Sequence, residues 1–160
     1  MQIKFSFDSS KPIAGEASID IDKPIHDVFY YIGVHFFDNY PKWAVEVVGF
    51  EPLDGKEVFI GARAKQIRRD NGADVESIFA ITDYQPSIKL MFKGLSTPYQ
   101  HSYLLESSEQ NQHTRLTFRF ELLELEVFMR PFAKLIRSAI EEGAENTVEN
   151  IKNLIVEQSN

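Results

Sequence analysis

Alternating hydrophobic and polar residues run through most of this chain and predict short β-strands. The clearest segment is 114–123, where every second residue is large and apolar: Leu116, Phe118, Phe120 and Leu122. The first such segment is 13–21, where Ala17, Ile19 and Ile21 share one phase. A period of two is typical of a strand with one buried face, so we expect strands in both segments.

Five further strand-like segments lie between these two and are separated by turn residues. We expect them at 44–52, 60–69, 73–84, 88–93 and 100–106. The turn Asp70-Asn71-Gly72 predicts a hairpin, because Asn-Gly accepts the positive φ that a tight turn needs. Successive strands with short connections predict an antiparallel sheet with one face on a core.

Helical spacing of apolar residues appears in two regions. The first follows Asp22-Lys23-Pro24, where we expect Asp22 to cap a helix and Pro24 to lie in its first turn. Gly33 and the cluster at 38–41 are expected to divide this region into two short helices. The second region, from about 128 to 157, predicts one long amphipathic helix, with Pro131 in its first turn.

The predicted fold class is therefore α+β. Seven antiparallel strands form the sheet, two short helices follow the first strand, and the long C-terminal helix covers the apolar face. The chain has 160 residues, and we expect one domain spanning 1–160. It has no cysteine, which excludes disulfides and thiolate catalysis.

Charge and hydropathy narrow the possible partners. The net charge is −7 and the pI is about 5.1, which argues against nucleic acid as a partner. The basic residues Lys65, Arg68 and Arg69 are interpreted as a solvated strand edge rather than a phosphate site. No apolar stretch reaches the roughly 18 residues of a membrane span, and no signal peptide is recognised, so we expect a cytoplasmic protein without an integral membrane segment.

The four histidines and the glycines are the residues on which motifs for metal or phosphate binding would depend. None has the spacing of a metal site, a nucleophile elbow or a phosphate loop, so we expect no metal and no cofactor. His101 and Tyr103 share a strand phase, and facing inward they would hydrogen-bond a ligand carbonyl or hydroxyl, or transfer a proton. The favoured alternative is that they reach water or each other, because Leu104 leaves the facing ambiguous.

Gly143 indicates space beside the long helix. Glycine inside a helix costs about 1 kcal/mol relative to alanine, and Gly143 shares its face with Ile136 and Ile140. Either a bulky sheet residue, Phe118 or Phe120, fills the space beside it, which is the favoured alternative, or a ligand does.

The order of several short motifs adds a family resemblance. The motifs are Ile21-(2)-Pro24-(3)-Val28-(3)-Ile32, Tyr40-(2)-Trp43, Gly61, Tyr84-Gln85-Pro86 and Thr114-Arg115-Leu116-Thr117, followed by the long helix. Together they resemble the START-like, or SRPBCC, superfamily, closest to its polyketide cyclase/dehydrase and lipid-transport branch, over about 13–156. The resemblance implies a helix-grip fold with an apolar cavity between sheet and helix. It carries over no catalytic residue.

We therefore expect a protein that binds a small apolar or amphipathic molecule, including lipid, as a carrier, sensor or chaperone-like binder. The expected cavity residues are Phe37, Tyr40, Trp43, His101, Tyr103, Phe118, Phe120, Ile136, Ile140 and Gly143. Trp43 is expected to be half-buried at the entrance, although the rings of 37–43 would alternatively only fill the core.

Two alternative functions remain open at this point. One is a cyclase- or aromatase-like enzyme that uses His101 and Tyr103 with Glu76 or Arg63. The other is a protein-interaction module with a filled core.

Overall fold

The computed structural model describes residues 12–70 and 72–158, which form one seven-stranded antiparallel sheet and its covering helices. The strands are β1 (Ile13–Ile21), β2 (Val47–Pro52), β3 (Arg63–Asp70), β4 (Ala73–Gln85), β5 (Lys89–Gly94), β6 (Tyr99–Ser107) and β7 (Thr114–Leu122). Their order is β1-β7-β6-β5-β4-β3-β2, so each strand from β2 onward pairs with its neighbour in sequence, and β1 closes against β7. The predicted antiparallel sheet is confirmed.

The registers agree with the predicted alternation. In the β1–β7 pair, Ala17 lies opposite Phe118 and Ile19 opposite Leu116, so apolar residues share one face. The hairpin between β3 and β4 forms where expected, with Asp70 paired to Ala73, although Asn71 lies outside the described residues. Gly72 adopts φ +82°, which a residue with a side chain rarely adopts.

The region after β1 is more continuous than the sequence predicted. It contains α1 (Ile25–Phe29), a π-helical turn (Tyr30–Val34) and α2 (Phe36–Trp43). Two short α-helices are present, as predicted, and the π-helical turn that contains Gly33 separates them. The break expected at 38–41 is wrong, because Pro41 lies inside α2. A β-carbon on Gly33 would lie 2.5 Å from the Phe29 ring, so glycine at this position makes room for that ring.

The expected cap of the first helix is also wrong. Pro24 precedes the first helical residue of α1, and no side chain caps it. The Asp22 carboxylate instead lies 2.8 Å from Nδ1 of His113, on the hairpin before β7. Asp22 therefore connects the loop after β1 with the loop before β7.

The C-terminal helix α3 (Ala133–Glu157) crosses the sheet, as predicted. Its first turn differs from the prediction, because Val127–Phe132, with Pro131, forms a 3₁₀ helix. The helix approaches the sheet closely at Gly15 of β1, where an added β-carbon would lie 2.6 Å from Ile140 Cγ2 and 2.8 Å from the Glu141 backbone nitrogen. Within the described ranges, no helix is long and apolar enough to cross a membrane.

Aromatic rings fill the end of the core under α2. The ring of Phe36 lies with its centroid 5.1 Å from Tyr40 and 5.4 Å from Phe92. A short polar network crosses this packing, since Tyr40 Oη donates to Gln66 Oε1 at 2.8 Å and Gln66 Nε2 donates to Tyr99 Oη at 3.1 Å. The buried polar groups here are thus paired, as buried groups must be for stability.

Candidate functional site

A cavity of about 600 Å³ lies between α3, the C-terminal end of α2 and the inner face of the sheet. Its wall is formed by Tyr40, Trp43, Ala44, Glu46, Arg68, Arg69, His101, Tyr103, Phe118, Phe120, Ile136, Ala139, Ile140, Gly143, Ala144 and Thr147. Strands β6 and β7 contribute its aromatic side, and α3 contributes small and aliphatic residues.

All but one of the ten residues predicted from the sequence lie in this wall. The exception is Phe37, which is buried and packs its ring against Phe36 and Phe50 at centroid distances of 5.5 and 6.3 Å. Phe37 therefore belongs to the core under α2. The role of the other nine in binding a ligand stays a prediction.

Trp43 is buried more deeply than the sequence predicted. Only 1% of the residue is exposed, and its Nε1 donates to Tyr103 Oη at 3.1 Å. The expectation of a half-buried ring was wrong because α2 continues through Pro41. An uninterrupted helix places Phe36, Tyr40 and Trp43 on one face, which here is the buried face.

The open space beside Gly143 differs from the favoured expectation. A β-carbon on Gly143 would meet no atom within 4 Å. Neither Phe118 nor Phe120 therefore fills this space, although both rings form the opposite wall. Small residues on α3, Ala139 and Ala144 among them, extend the same gap along the helix.

His101 faces inward from β6 and is 5% exposed. Neither of its ring nitrogens has a hydrogen-bond partner. Rings surround it instead, with centroids 4.4 Å away at Phe92, 4.8 Å at Phe120 and 5.3 Å at Phe118. Burial, aided by the positive charge of Arg68, lowers the pKa of His101 well below its ordinary value, so the imidazole is neutral at pH 7.

Tyr103 lies two residues further along the same face of β6. Its hydroxyl accepts the hydrogen bond from Trp43, and burial raises the pKa of the phenol above its ordinary value. The favoured expectation that His101 and Tyr103 reach water or each other is wrong for both residues. Tyr103 is paired with the indole, and His101 is paired with neither.

Charged residues stand at one side of the cavity, where the sequence analysis did not place Arg68 and Arg69 and did not consider Glu46. Arg68 Nη2 lies 4.0 Å from Glu46 Oε2, while Arg69 forms a closer ion pair with Asp74 at 2.8 Å. A signal was present in the sequence, because Arg68 continues the phase of the buried residues Ala64 and Gln66. The interpretation as solvated residues fits Lys65, whose ammonium lies 3.5 Å from Glu76, and Arg69, which is exposed in its ion pair with Asp74. Arg68 is only partly exposed and lies in the cavity wall, so the interpretation does not hold for this residue.

The two other residues considered for catalysis lie away from the cavity. Arg63 makes a two-pronged ion pair with Asp54, with both N–O distances at 3.1 Å. Glu76 is exposed beside Lys65. The titratable wall residues are thus His101, Tyr103 and Tyr40, with Glu46, Arg68 and Arg69 at one side.

Comparison with solved structures finds the same fold at low sequence identity. A protein from Thermus thermophilus aligns with a TM-score of 0.75 and 14% identity, over 92% of this chain and 99% of the other. The Zhui aromatase/cyclase of a Streptomyces species gives 0.74 and 11%, over 93% and 96%. A START superfamily protein from Mycobacterium smegmatis gives 0.71 and 12%, over 92% and 99%. At these identities the likeness shows the fold alone.

Sequence comparison defines the family. No curated protein matches the chain. One family model does match, over residues 12–155, which is nearly the whole described structure. Its match agrees with the helix-grip architecture and with the resemblance seen in the sequence. The chain therefore belongs to the family described as polyketide cyclase / dehydrase and lipid transport.

Proposed function

We propose that this protein binds a small apolar or amphipathic molecule in the cavity between α3 and the sheet. The observation that carries the proposal is the open space of about 600 Å³ beside Gly143. Sites for small molecules in proteins usually measure roughly 300–1,000 Å³ and are lined mainly by apolar side chains with a few polar groups. The rings of β6 and β7 and the aliphatic residues of α3 give such a wall.

A carrier, sensor or chaperone-like role fits this wall better than a filled interaction module. A filled core would leave no space of this size between α3 and the sheet, whereas the cavity beside Gly143 measures about 600 Å³. Glycine inside a helix costs about 1 kcal/mol of stability relative to alanine. The proposed function gives a reason for glycine at position 143, because a larger side chain would occupy space that the ligand needs.

Titration with an uncharged naphthylamine dye tests the proposal. Gly143→Leu puts four carbons into the open space, and we expect it to weaken dye binding about tenfold or more while the fold is kept. Glu142→Leu is the matched control, because the same side chain is added to the exposed face of α3. Equal dye affinity in wild type and both variants, with all three folded, would contradict binding in this cavity.

A cyclase-like enzyme is the second candidate, favoured by the neutral imidazole of His101 and the phenol of Tyr103 in one wall. A neutral imidazole is a general base, and a phenol can donate to a carbonyl oxygen. We expect such a site to speed exchange of the protons beside the carbonyl of β-tetralone, measured by NMR in heavy water. An exchange rate equal in wild type and in His101→Phe would remove this candidate while leaving the binding proposal intact.

A further inference from the structure

The segment at the start of α3 exposes several large apolar side chains in one place. Five of the six residues of the 3₁₀ helix Val127–Phe132 are apolar, and none of the six is buried. Val127, Phe128 and Phe132 are 71%, 69% and 52% exposed, and Leu135, in the first turn of α3, is 70% exposed. We call these four residues the apolar patch. An exposed group of this kind usually marks a surface that contacts a protein or a membrane.

The apolar patch is held on an anchored segment of the chain. Phe128, Phe132 and Leu135 are four and three positions apart, so their side chains are neighbours on a helical segment. The same segment has a small core of its own, in which Leu125 and Ala133 are buried. Burial of these residues fixes the segment against the protein while the patch faces water.

Every charge within this segment is positive. The residues from 127 to 140 include Arg130, Lys134 and Arg137 and no acidic residue, although the whole chain has a net charge of −7. Lys134 and Arg137 are exposed. Acidic residues resume at both ends of the segment, at Glu126 and Glu141. A local excess of positive charge beside the apolar patch favours an anionic partner.

A second copy of this chain does not suit the apolar patch. Two-fold packing of the patch on itself would bring the basic residues of one copy close to those of the other. A stable interface also needs roughly 800 Å² from each partner. The patch offers less, because it has four partly covered side chains and even an aromatic side chain buries only about 150–250 Å².

An anionic lipid surface matches both properties of the segment. On surface helices, aromatic and aliphatic side chains enter the boundary between headgroups and acyl chains, and Lys and Arg extend their charged ends toward the headgroups. An acidic protein would pair with the basic residues, but its charged side chains would not replace water around Phe128 and Phe132, and such side chains are depleted from the centres of interfaces.

We propose that the apolar patch, with Arg130, Lys134 and Arg137, docks this protein on the surface of an anionic membrane. The attraction is local, because salt screens charges beyond about 8–10 Å and the acidic remainder of the chain acts only weakly at the patch. None of the four patch residues is among the described residues of the cavity wall. The docking surface is therefore distinct from the proposed binding site and does not depend on it.

Co-sedimentation with lipid vesicles tests the proposal. One set of vesicles is phosphatidylcholine alone, and the other contains equal parts of phosphatidylcholine and phosphatidylglycerol. The variants are Phe128→Ser, Phe132→Ser and Lys134→Gln, all at exposed positions. Phe59→Ser and Lys93→Gln make the same changes at exposed positions outside the segment and serve as matched controls. Circular dichroism checks that each variant is folded.

We expect the wild type to bind the mixed vesicles more tightly than the neutral ones. Each phenylalanine variant should lose about tenfold in affinity for the mixed vesicles, because one ring no longer leaves water. Lys134→Gln should lose about fivefold on the mixed vesicles and nothing on the neutral ones, because only the anionic surface attracts its charge. Both controls should bind like the wild type.

Gly143→Leu separates docking from the uptake of lipid into the cavity. This change fills space in the cavity and leaves the apolar patch as it is. Vesicle binding should therefore be unchanged in Gly143→Leu. A loss as large as that of Phe128→Ser would show that the assay reports lipid entering the cavity, and it would overturn the proposal.

Three other results would also overturn the proposal. Folded wild type that binds neither kind of vesicle would refute a membrane surface directly. Equal losses in Phe59→Ser and Phe128→Ser would show that the binding does not occur at the patch. Without vesicle binding, a dimer in sedimentation equilibrium that Phe128→Ser dissociates would assign the patch to a second copy, and binding to polyglutamate would assign it to an acidic protein.

Discussion

His101 should make the stability of the ligand-free protein fall between pH 7 and pH 5. In the folded state burial holds the pKa of the imidazole well below 6.5, whereas in the unfolded chain the side chain is solvated and titrates near 6.5. Below that pH the unfolded state binds a proton that the folded state does not. Stability is therefore fully present above pH 6.5 and is lost as the pH falls toward the folded pKa.

The size of the effect follows from the proton that only the unfolded chain takes up. Each pH unit between the unfolded and the folded pKa costs about 1.4 kcal/mol, so the loss between pH 7 and pH 5 is at most about 2 kcal/mol. His101→Phe removes this loss, because phenylalanine does not titrate. At pH 7 the same change should stabilise the protein by roughly 1–3 kcal/mol, since it removes buried nitrogens without partners.

Urea unfolding of wild type, His101→Phe and His113→Phe at half-unit steps of pH measures these differences. The quantity compared is the free energy of unfolding of each variant relative to wild type. The contribution of carboxylate titration drops out of this difference, because the same carboxylates titrate in all three proteins. The gap between His101→Phe and wild type should widen steadily as the pH falls from 7 to 5, by at most about 2 kcal/mol. A constant gap across this range would refute the assignment of a buried, neutral imidazole.

Three further changes separate the core from the cavity, each measured by urea unfolding. Trp43→Ala should lose about 3–5 kcal/mol, as for a buried ring, and a loss below about 1 kcal/mol would contradict its burial. Tyr40→Phe should lose about 1–3 kcal/mol, because Gln66 Oε1 loses its buried donor, whereas an unchanged midpoint would show that this bond contributes nothing. Gly143→Ala should gain up to about 1 kcal/mol, because the helix favours alanine and the space is open, and a loss would mean that the space is filled.

The sheet could be predicted because its signal is local. Each strand with one buried face carries its own alternation, and Gly72 marks a turn by its positive φ. The region of α1 and α2 was harder, because Gly33 and Pro41 usually end helices. Here the ring of Phe29 occupies the space above Gly33, and α2 tolerates Pro41 inside it.

The cavity could be predicted in part for a similar reason. Small residues on a long amphipathic helix, such as Ala139 and Gly143, indicate space from sequence alone. The pairing of Trp43 with Tyr103 joins residues 60 apart in the chain, and no local pattern encodes it. The place of Arg68 beside Glu46 likewise depends on the β2–β3 pairing, which turns an apparently surface-type arginine toward the cavity.

Gly15 has a consequence for the width of the cavity, although it is not part of the wall. It lies opposite Phe120 in the sheet and directly under Ile140 and Glu141, so α3 rests on bare backbone at this point. The absence of a β-carbon at Gly15 therefore determines how closely α3 packs against this edge strand. A β-carbon at Gly15 would meet helix backbone, which cannot rotate away, and would raise the helix along with Ile140. The size of ligand that the protein accepts can thus change by substitution on the outer strand, without altering any residue that touches the ligand.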